Sequence, residues 1–222
     1  MKILIVLAHP EWKSFNTAMY TTAIEALQKQ GHEVKTSDLY RMNLNPISDR
    51  SNFSSVRDPA FLKLQLEEVY ATEVNGFIPD IAAEQEKVEW CDLMIWQFPL
   101  WWFSLPAILK GWVDRVFAMG RFYGDGRFYS NGVFKNKKAV LSLTTGGPLD
   151  NYVDNGFNGD INGMLRPIHR GILQFVGFTV LAPQLSFSVA HLSEKERKQL
   201  LTKWSERLKN IFSEASIQVG KY

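Results

Sequence analysis

Apolar positions along the chain alternate between two rhythms. Ile3 to Ala8 is an unbroken apolar run, the signature of a strand buried on both faces of a parallel sheet, and it is expected to be the central strand. The rhythm then changes to a helical one, with Phe15, Met19, Ala23 and Leu27 near one face. Ser14 stands as its cap and Gly31 as its stop. Glu33 to Ser37 reads as a second strand, Leu93 to Gln97 as a third, Lys138 to Leu143 as a fourth and Thr179 to Ala182 as a fifth.

Helical spacing fills the intervals. A helix is predicted from about Asp80 to Glu89, and another carries Ile108, Leu109, Trp112 and Val116, with Pro106 near its first turn, where a missing N–H costs least. Ile161 to Phe175 is predicted helical, with Pro167 as a kink or restart. A final helix begins with Ser193 and Glu196 at capping-box spacing and buries Leu200, Leu201, Trp204, Leu208 and Ile211. Between Tyr40 and about Ile78 no sheet pattern exists. Asp58 followed by Pro59 predicts a helix start for the Phe61, Leu64, Val69 series, and so long an excursion is expected to pack on a neighbour or line a site. Five strands separated by helices give an α/β, doubly wound parallel sheet, most simply in the order 2-1-3-4-5, with no internal repeat or low-complexity linker.

Bulk properties narrow the partners. At 222 residues the chain suits one domain, spanning 1–222, with a short tail from about 213 expected to be free to move. A net charge of +2 with interspersed signs gives no basic stripe for nucleic acid, so small neutral or anionic ligands are the expected partners. The single cysteine, Cys91, excludes an internal disulfide and fits a reducing compartment. No His/Cys spacing suggests a metal. The start, MKILIVLAHP, is too short in apolar residues for a secretory leader, and no segment approaches a membrane span, so a cytoplasmic protein is expected.

Three stretches then stand out. The connector after the third strand packs Pro99, Leu100, Trp101, Trp102 and Phe103 together, which suits either a core cap or a site for a flat aromatic ring at the carboxyl end of a strand. Around Ser14, Phe15 and Asn16 the start of the first helix offers free N–H groups to a phosphate, although Ser14 as a plain N-cap and His9 as a surface histidine explain the same residues. The fourth strand delivers Thr144, Thr145, Gly146 and Gly147, which form either a common turn or a close backbone approach to a ligand.

FPLWWFSLPAILKGWVDRVF, with LIVLAHPEWKSFN, SDLYRMNLNPI, PDIAAEQ, KKAVLSLTTGG and GILQFVGFTVLAPQL, resembles the DT-diaphorase-type NAD(P)H:quinone oxidoreductases over residues 1 to about 212. The resemblance implies a flavodoxin-like fold and two-electron reduction of quinones, with hydride passing from a nicotinamide donor, NAD(P)H, through flavin N5 in a ping-pong cycle. The flavin it implies is FAD, with FMN as runner-up. Relatives also include ancillary flavin subunits of potassium-efflux systems and azo- or nitro-reductases.

Carried over residue by residue, His9, Ser14, Phe15 and Asn16 match the pyrophosphate side, and Pro99 to Phe103 the N5 edge, Trp102 in particular. Thr144, Thr145, Gly146, Gly147 and Tyr152 match the second wall, with Gly147 and Tyr152 at the N1/O2 edge. Arg197 matches a position near the adenylate end, though it is equally readable as a surface arginine. Phe103, Tyr123, Asp125 and Phe175 match the substrate slot, with Tyr123 and Phe175 supplied across a homodimer interface. Asp125 stands where a tyrosine is usual, and Asn158 where a histidine partners the tyrosine at Tyr152. Asn158 either takes that catalytic position with a side chain that cannot titrate or caps a turn before Gly159.

Overall fold

The computed structural model describes residues 1–220. Its sheet contains β1 (Lys2–Leu7), β2 (Glu33–Asp38), β3 (Leu93–Pro99), β4 (Lys138–Thr144), β5 (Thr179–Val180) and β6 (Gln184–Ser186). All pairings are parallel, in the order β2-β1-β3-β4-β5, as the strand pattern predicts, and β6 pairs with β4 on the same side as β5.

The described residues form six α-helices: α1 (Phe15–Lys29), α2 (Leu64–Val74), α3 (Pro79–Trp90), α4 (Ala107–Val116), α5 (Ile161–Ile168) and α6 (Glu194–Leu208). All but α2 pack on the two faces, and α2 packs outside them in a small cluster with Phe77, Ile81 and Ala118. Strand side chains alternate between two cores. Ile3, Ile5, Leu7, Ile95 and Val140 pack with Met19, Leu27, Trp204 and Leu208 of α1 and α6. Leu4, Val6, Met94, Trp96 and Leu141 pack with Val88, Leu109, Trp112 and Leu165 of α3, α4 and α5. Every residue of β3 is buried, so its carboxyl end can leave the core only as a sharp turn.

Four elements depart from the sequence reading. No helix begins at Asp58–Pro59. The Asp58 carboxylate instead accepts from the N–H groups of Ala60 and Phe61, holding a turn that leaves Phe61 68% exposed, and α2 starts only at Leu64. The fifth strand breaks after Val180. Pro183 has no N–H to give, and pairing with β4 resumes at Gln184. The helix predicted over Ile161 to Phe175 is α-helical only to Ile168 and continues as a π-turn from His169 to Gln174, because Pro167 removes a donor from the ladder. Ile211 is buried but lies in a separate 3₁₀ turn beyond α6.

The long excursion before α3 is packed as expected. Arg115 of α4 is buried and donates to Asn52 Oδ1 (2.6 Å) and the Asn45 carbonyl (2.8 Å). Beside it Pro46 lies so close to α4 that a Cβ on Gly111 would sit 2.3 Å from its carbonyl oxygen. The tail expected from about 213 adds to the open sheet edge: Ile217 N–H donates to Val180 O at 3.0 Å, and Ser216 bridges Leu181. Its last residues, 221 and 222, lie outside the described residues. No helix among the described residues is long and apolar enough to cross a membrane.

Candidate active site

The first element of the site is the start of α1. Ser14, extended at φ −71° and ψ 159°, accepts from Thr17 N–H at 3.1 Å, and the Thr17 hydroxyl donates to Glu11 O at 3.1 Å. His9 Nδ1 accepts from Glu11 N–H at 3.0 Å, and partial burial lowers the ring's pKa, favouring the neutral form. The turn is therefore held by its own side chains. The N–H groups of Phe15 and Asn16 find no acceptor among the described residues and are left to whatever binds at this positive helix end.

Beneath it runs a buried polar chain. Gln97 Nε2 donates to Asn16 Oδ1 at 2.8 Å, and Asn16 Nδ2 to Thr144 Oγ1 at 2.9 Å. All three side chains are buried, and together they tie α1, β3 and β4 into one unit at their ligand-facing ends. Each bond contributes on the order of 1 kcal/mol net, and removing one partner costs more than that because the other is left unsatisfied.

The β3 end makes the aromatic turn. Leu100 N–H donates to Thr144 O (2.8 Å) and Ser104 N–H to Trp101 O (3.0 Å), while Trp102 and Phe103 both take left-handed backbone conformations, φ 51° and 56°. Two consecutive non-glycine residues there cost about 1 kcal/mol or more each. The strain turns the Trp102 ring out, 94% exposed, and leaves the N–H groups of Trp102 and Phe103 without a protein acceptor among the described residues.

The β4 end makes the facing wall. Thr145 N–H donates to Ser186 O (3.0 Å) and its hydroxyl to Gly147 O (2.8 Å), so β6 and the Gly146–Gly147 turn are fixed together. Gly147 lies against Tyr152, whose ring a Cβ there would approach to 3.3 Å. Tyr152 is buried and packs on Phe187 with ring centroids 5.7 Å apart. Asn158 is half-buried in the next turn, its N–H donating to Asn151 O at 2.8 Å, directly before Gly159 at φ 82°.

These ends enclose a cleft of ≈ 790 Å³ that gathers His9, Ser14, Phe15, Asn16, Pro99, Leu100, Trp101, Thr144, Thr145, Gly146 and Arg197. Lys13, Lys198 and Arg197 outnumber its single acid, Glu194, so the mouth favours anions. Arg197 is held by donating to Leu192 O at 2.6 Å. Trp102, Phe103, Gly147 and Tyr152 continue the two walls beyond this cleft, whereas Tyr123 and Phe175 line a second cleft, ≈ 570 Å³, elsewhere on the same chain. Asp125 is exposed at a left-handed turn, φ 52°, and lines neither cleft.

Two polar residues were not singled out in the sequence. Gln97, which locks Asn16, stands out only as the one polar residue in LMIWQFP. Glu68, in the second cleft, is the second acid of a Glu-Glu pair inside the excursion. No cluster of His, Cys, Asp or Glu among the described residues is arranged to hold a metal ion.

A doubly wound sheet with a cofactor-sized, anion-favouring cleft at the carboxyl ends of β1, β3 and β4 defines an α/β cofactor-binding protein, with the site where such sheets bind ligands. Residues 1–208 match the flavodoxin-like fold family. NAD(P)H dehydrogenase (quinone) 1 of Cavia porcellus is 46% identical over 97% of this chain and 79% of its own length. Ribosyldihydronicotinamide dehydrogenase (quinone) of Homo sapiens is 45% identical over 97% of this chain and 94% of its own. The crystal structure of a Klebsiella pneumoniae protein superposes with a TM-score of 0.94 at 39% identity, covering 98% of this chain and 87% of that one. The chain belongs to the flavodoxin-like family and, within it, to the NAD(P)H:quinone oxidoreductases.

Proposed function

We propose that this protein is a flavin-dependent reductase that takes hydride from NAD(P)H and passes it to quinones. The observation that carries this reading is the convergence, in one anion-favouring cleft system, of the α1 start with two strand-end walls in which the N–H groups of Trp102, Phe103 and Gly147 have no protein acceptor among the described residues. The residues present fit a flavin. The N–H groups of Phe15 and Asn16, with Lys13, Arg197 and Lys198, would hold phosphates, and a lining that continues past α1 to Arg197 and Lys198 of α6 supports FAD over FMN. A bound flavin would supply reversible two-electron hydride chemistry.

The chain's own part is to hold, orient and exclude. Trp102 and Phe103 would donate their N–H groups to one polar edge of the ring, and Gly147 N–H with the Tyr152 hydroxyl to the opposite edge, where negative charge builds. Asn158, one turn on, can donate a hydrogen bond but cannot exchange a proton, so solvent would supply protons to that edge.

A homodimer is part of the same proposal. Trp101, Trp102, Phe103, Leu149, Val153 and Phe157 leave apolar surface exposed around the cleft, Phe157 at 92%, in a density that a partner would cover. Tyr123 and Phe175, apart from the cleft within one chain, would then wall the partner's acceptor slot. Donor and acceptor would take turns in that slot. Mass spectrometry of the heat-released cofactor, joined to steady-state kinetics with NADH or NADPH and a simple benzoquinone, tests the proposal. FAD and parallel double-reciprocal lines are expected. A protein that binds no flavin, or intersecting lines, would contradict it.

A further inference from the structure

The second cleft contains a group that the flavin chemistry does not require. Glu68 of α2 is only 5% exposed, and its Oε2 accepts from Met119 N–H at 2.7 Å. Tyr123 and Gln65 line the same cleft beside this carboxyl, with the Tyr123 hydroxyl near enough to feel its charge. Val113, Phe117, Ile172 and Phe175 make the rest of the surroundings largely apolar.

Few other charges face this carboxyl. On α2 itself, Glu67 turns away to accept from the N–H groups of Arg57 (2.7 Å) and Asp58 (2.9 Å). On α4, Asp114 is paired with Lys110 at 2.6 Å and adds a small repulsion. The 171–176 segment and Ser48 bring no ionisable side chain to the cleft. Lys110, the cation that lines the cleft, is taken up by Asp114, and burial pushes the Glu68 pKa up to about 7. The carboxyl therefore changes charge within the physiological range, beside a tyrosine that lines the same cavity.

We propose that Glu68 is a positioning residue whose proton decides whether Tyr123 can offer a hydrogen-bond donor to a quinone carbonyl. The argument follows from the inventory of donors. As a carboxylate, Glu68 only accepts, and it claims the Tyr123 O–H, leaving the cleft facing oxygen lone pairs. As a neutral acid, Glu68 carries a donor of its own, and the Tyr123 O–H is released to the cavity. Quinone oxygens only accept hydrogen bonds, so they bind the protonated arrangement better. One neutral hydrogen bond corresponds to roughly five- to tenfold in affinity. This inference rests on the proposed function, in which Tyr123 walls the acceptor slot, and it adds a pH-dependent selectivity to that slot.

The test is the binding of 1,4-naphthoquinone to the oxidised holoprotein without donor, followed by quenching of tryptophan fluorescence from pH 5.5 to 8.5. Wild type is expected to weaken about five- to tenfold as pH rises through 7. Glu68→Gln, which keeps the shape and hydrogen-bonding capacity but cannot titrate, is expected to show a flat profile. Tyr123→Phe, which lacks the hydroxyl, is expected to be flat at the weaker value, and it decides the matter should Glu68→Gln fail to fold. A flat wild-type profile, or the same weakening with pH retained in either variant, overturns the proposal. Reduction of the bound flavin by NADH or NADPH in the absence of quinone tests the functional reading separately.

Discussion

The buried floor of the cofactor cleft and the proposed wall of the acceptor slot are built by opposite rules. At the strand ends, Gln97, Asn16 and Thr144 are buried, mutually hydrogen-bonded and tied to three elements of one chain. Around the aromatic turn and the second cleft, Trp102 and Phe103 are strained and outward-facing, and Glu68 is buried, with the cleft's Lys110 taken up by Asp114. The first region is complete in itself. The second, in the proposed dimer, would be a half-site, with left-handed backbone and exposed apolar surface turned toward a partner.

The comparison sharpens first in the pH dependence of stability. Glu68, raised from 4.5 to about 7, contributes stability that is full below pH 4.5 and is lost as pH rises through 7, about 3 kcal/mol in all. His169, buried in the π-turn with no partner for Nε2, is lowered from 6.5 to about 4. Its contribution is present above pH 6.5 and is lost as pH falls through 4, by a similar amount. The two oppose each other between about pH 4.5 and 6.5, so denaturant titrations of wild type should change little there. Glu68→Gln should expose the histidine alone, losing about 3 kcal/mol between pH 6.5 and 4. Matching pH profiles for the two proteins would place the strain elsewhere.

Next in size is the polar chain. Gln97→Leu strips a donor from buried Asn16 and is expected to cost about 2 kcal/mol in urea unfolding, together with weakened flavin retention. Trp102→Ala should change stability by less than about 0.5 kcal/mol, because the ring is almost wholly exposed, yet raise the quinone KM. Equal stability losses in the two variants would erase the distinction between the regions.

How legible each region was follows from the same contrast. The strands, the order of the sheet and both helix caps could be read because burial on two faces and capping leave local signatures: Ile3 to Ala8, Ser14, and Ser193 with Glu196, whose reciprocal bonds form at 2.8 and 3.3 Å. The pattern marked out the three cleft stretches, and the resemblance gave them roles and added Arg197. What could not be read was set by long-range geometry. Asp58 holds a turn in place of a helix start, Pro183 splits the fifth strand, and the π-turn after Pro167 widens a ladder whose apolar spacing still looks helical. Glu68 was invisible for the same reason, since its character comes from α4, Met119 and Tyr123 rather than from its neighbours in sequence.

The most direct test of the central claim, that one chain's cofactor cleft is completed by another chain's wall, is a mixed dimer of two defective chains. Ser14→Asp keeps a helix cap but sets a negative charge where a phosphate would lie, so its own cleft should be empty of flavin. The double substitution Tyr123→Ala with Phe175→Ala should spare the cleft and ruin the wall. Each homodimer should be nearly inactive toward a benzoquinone. Co-expressed with different tags and purified as the heterodimer, the pair contains one intact cleft facing one intact wall, and about half of wild-type turnover per dimer is expected. A heterodimer that is well folded and holds one flavin, yet is as inactive as its parents, would mean that each slot is built within a single chain and would contradict the account.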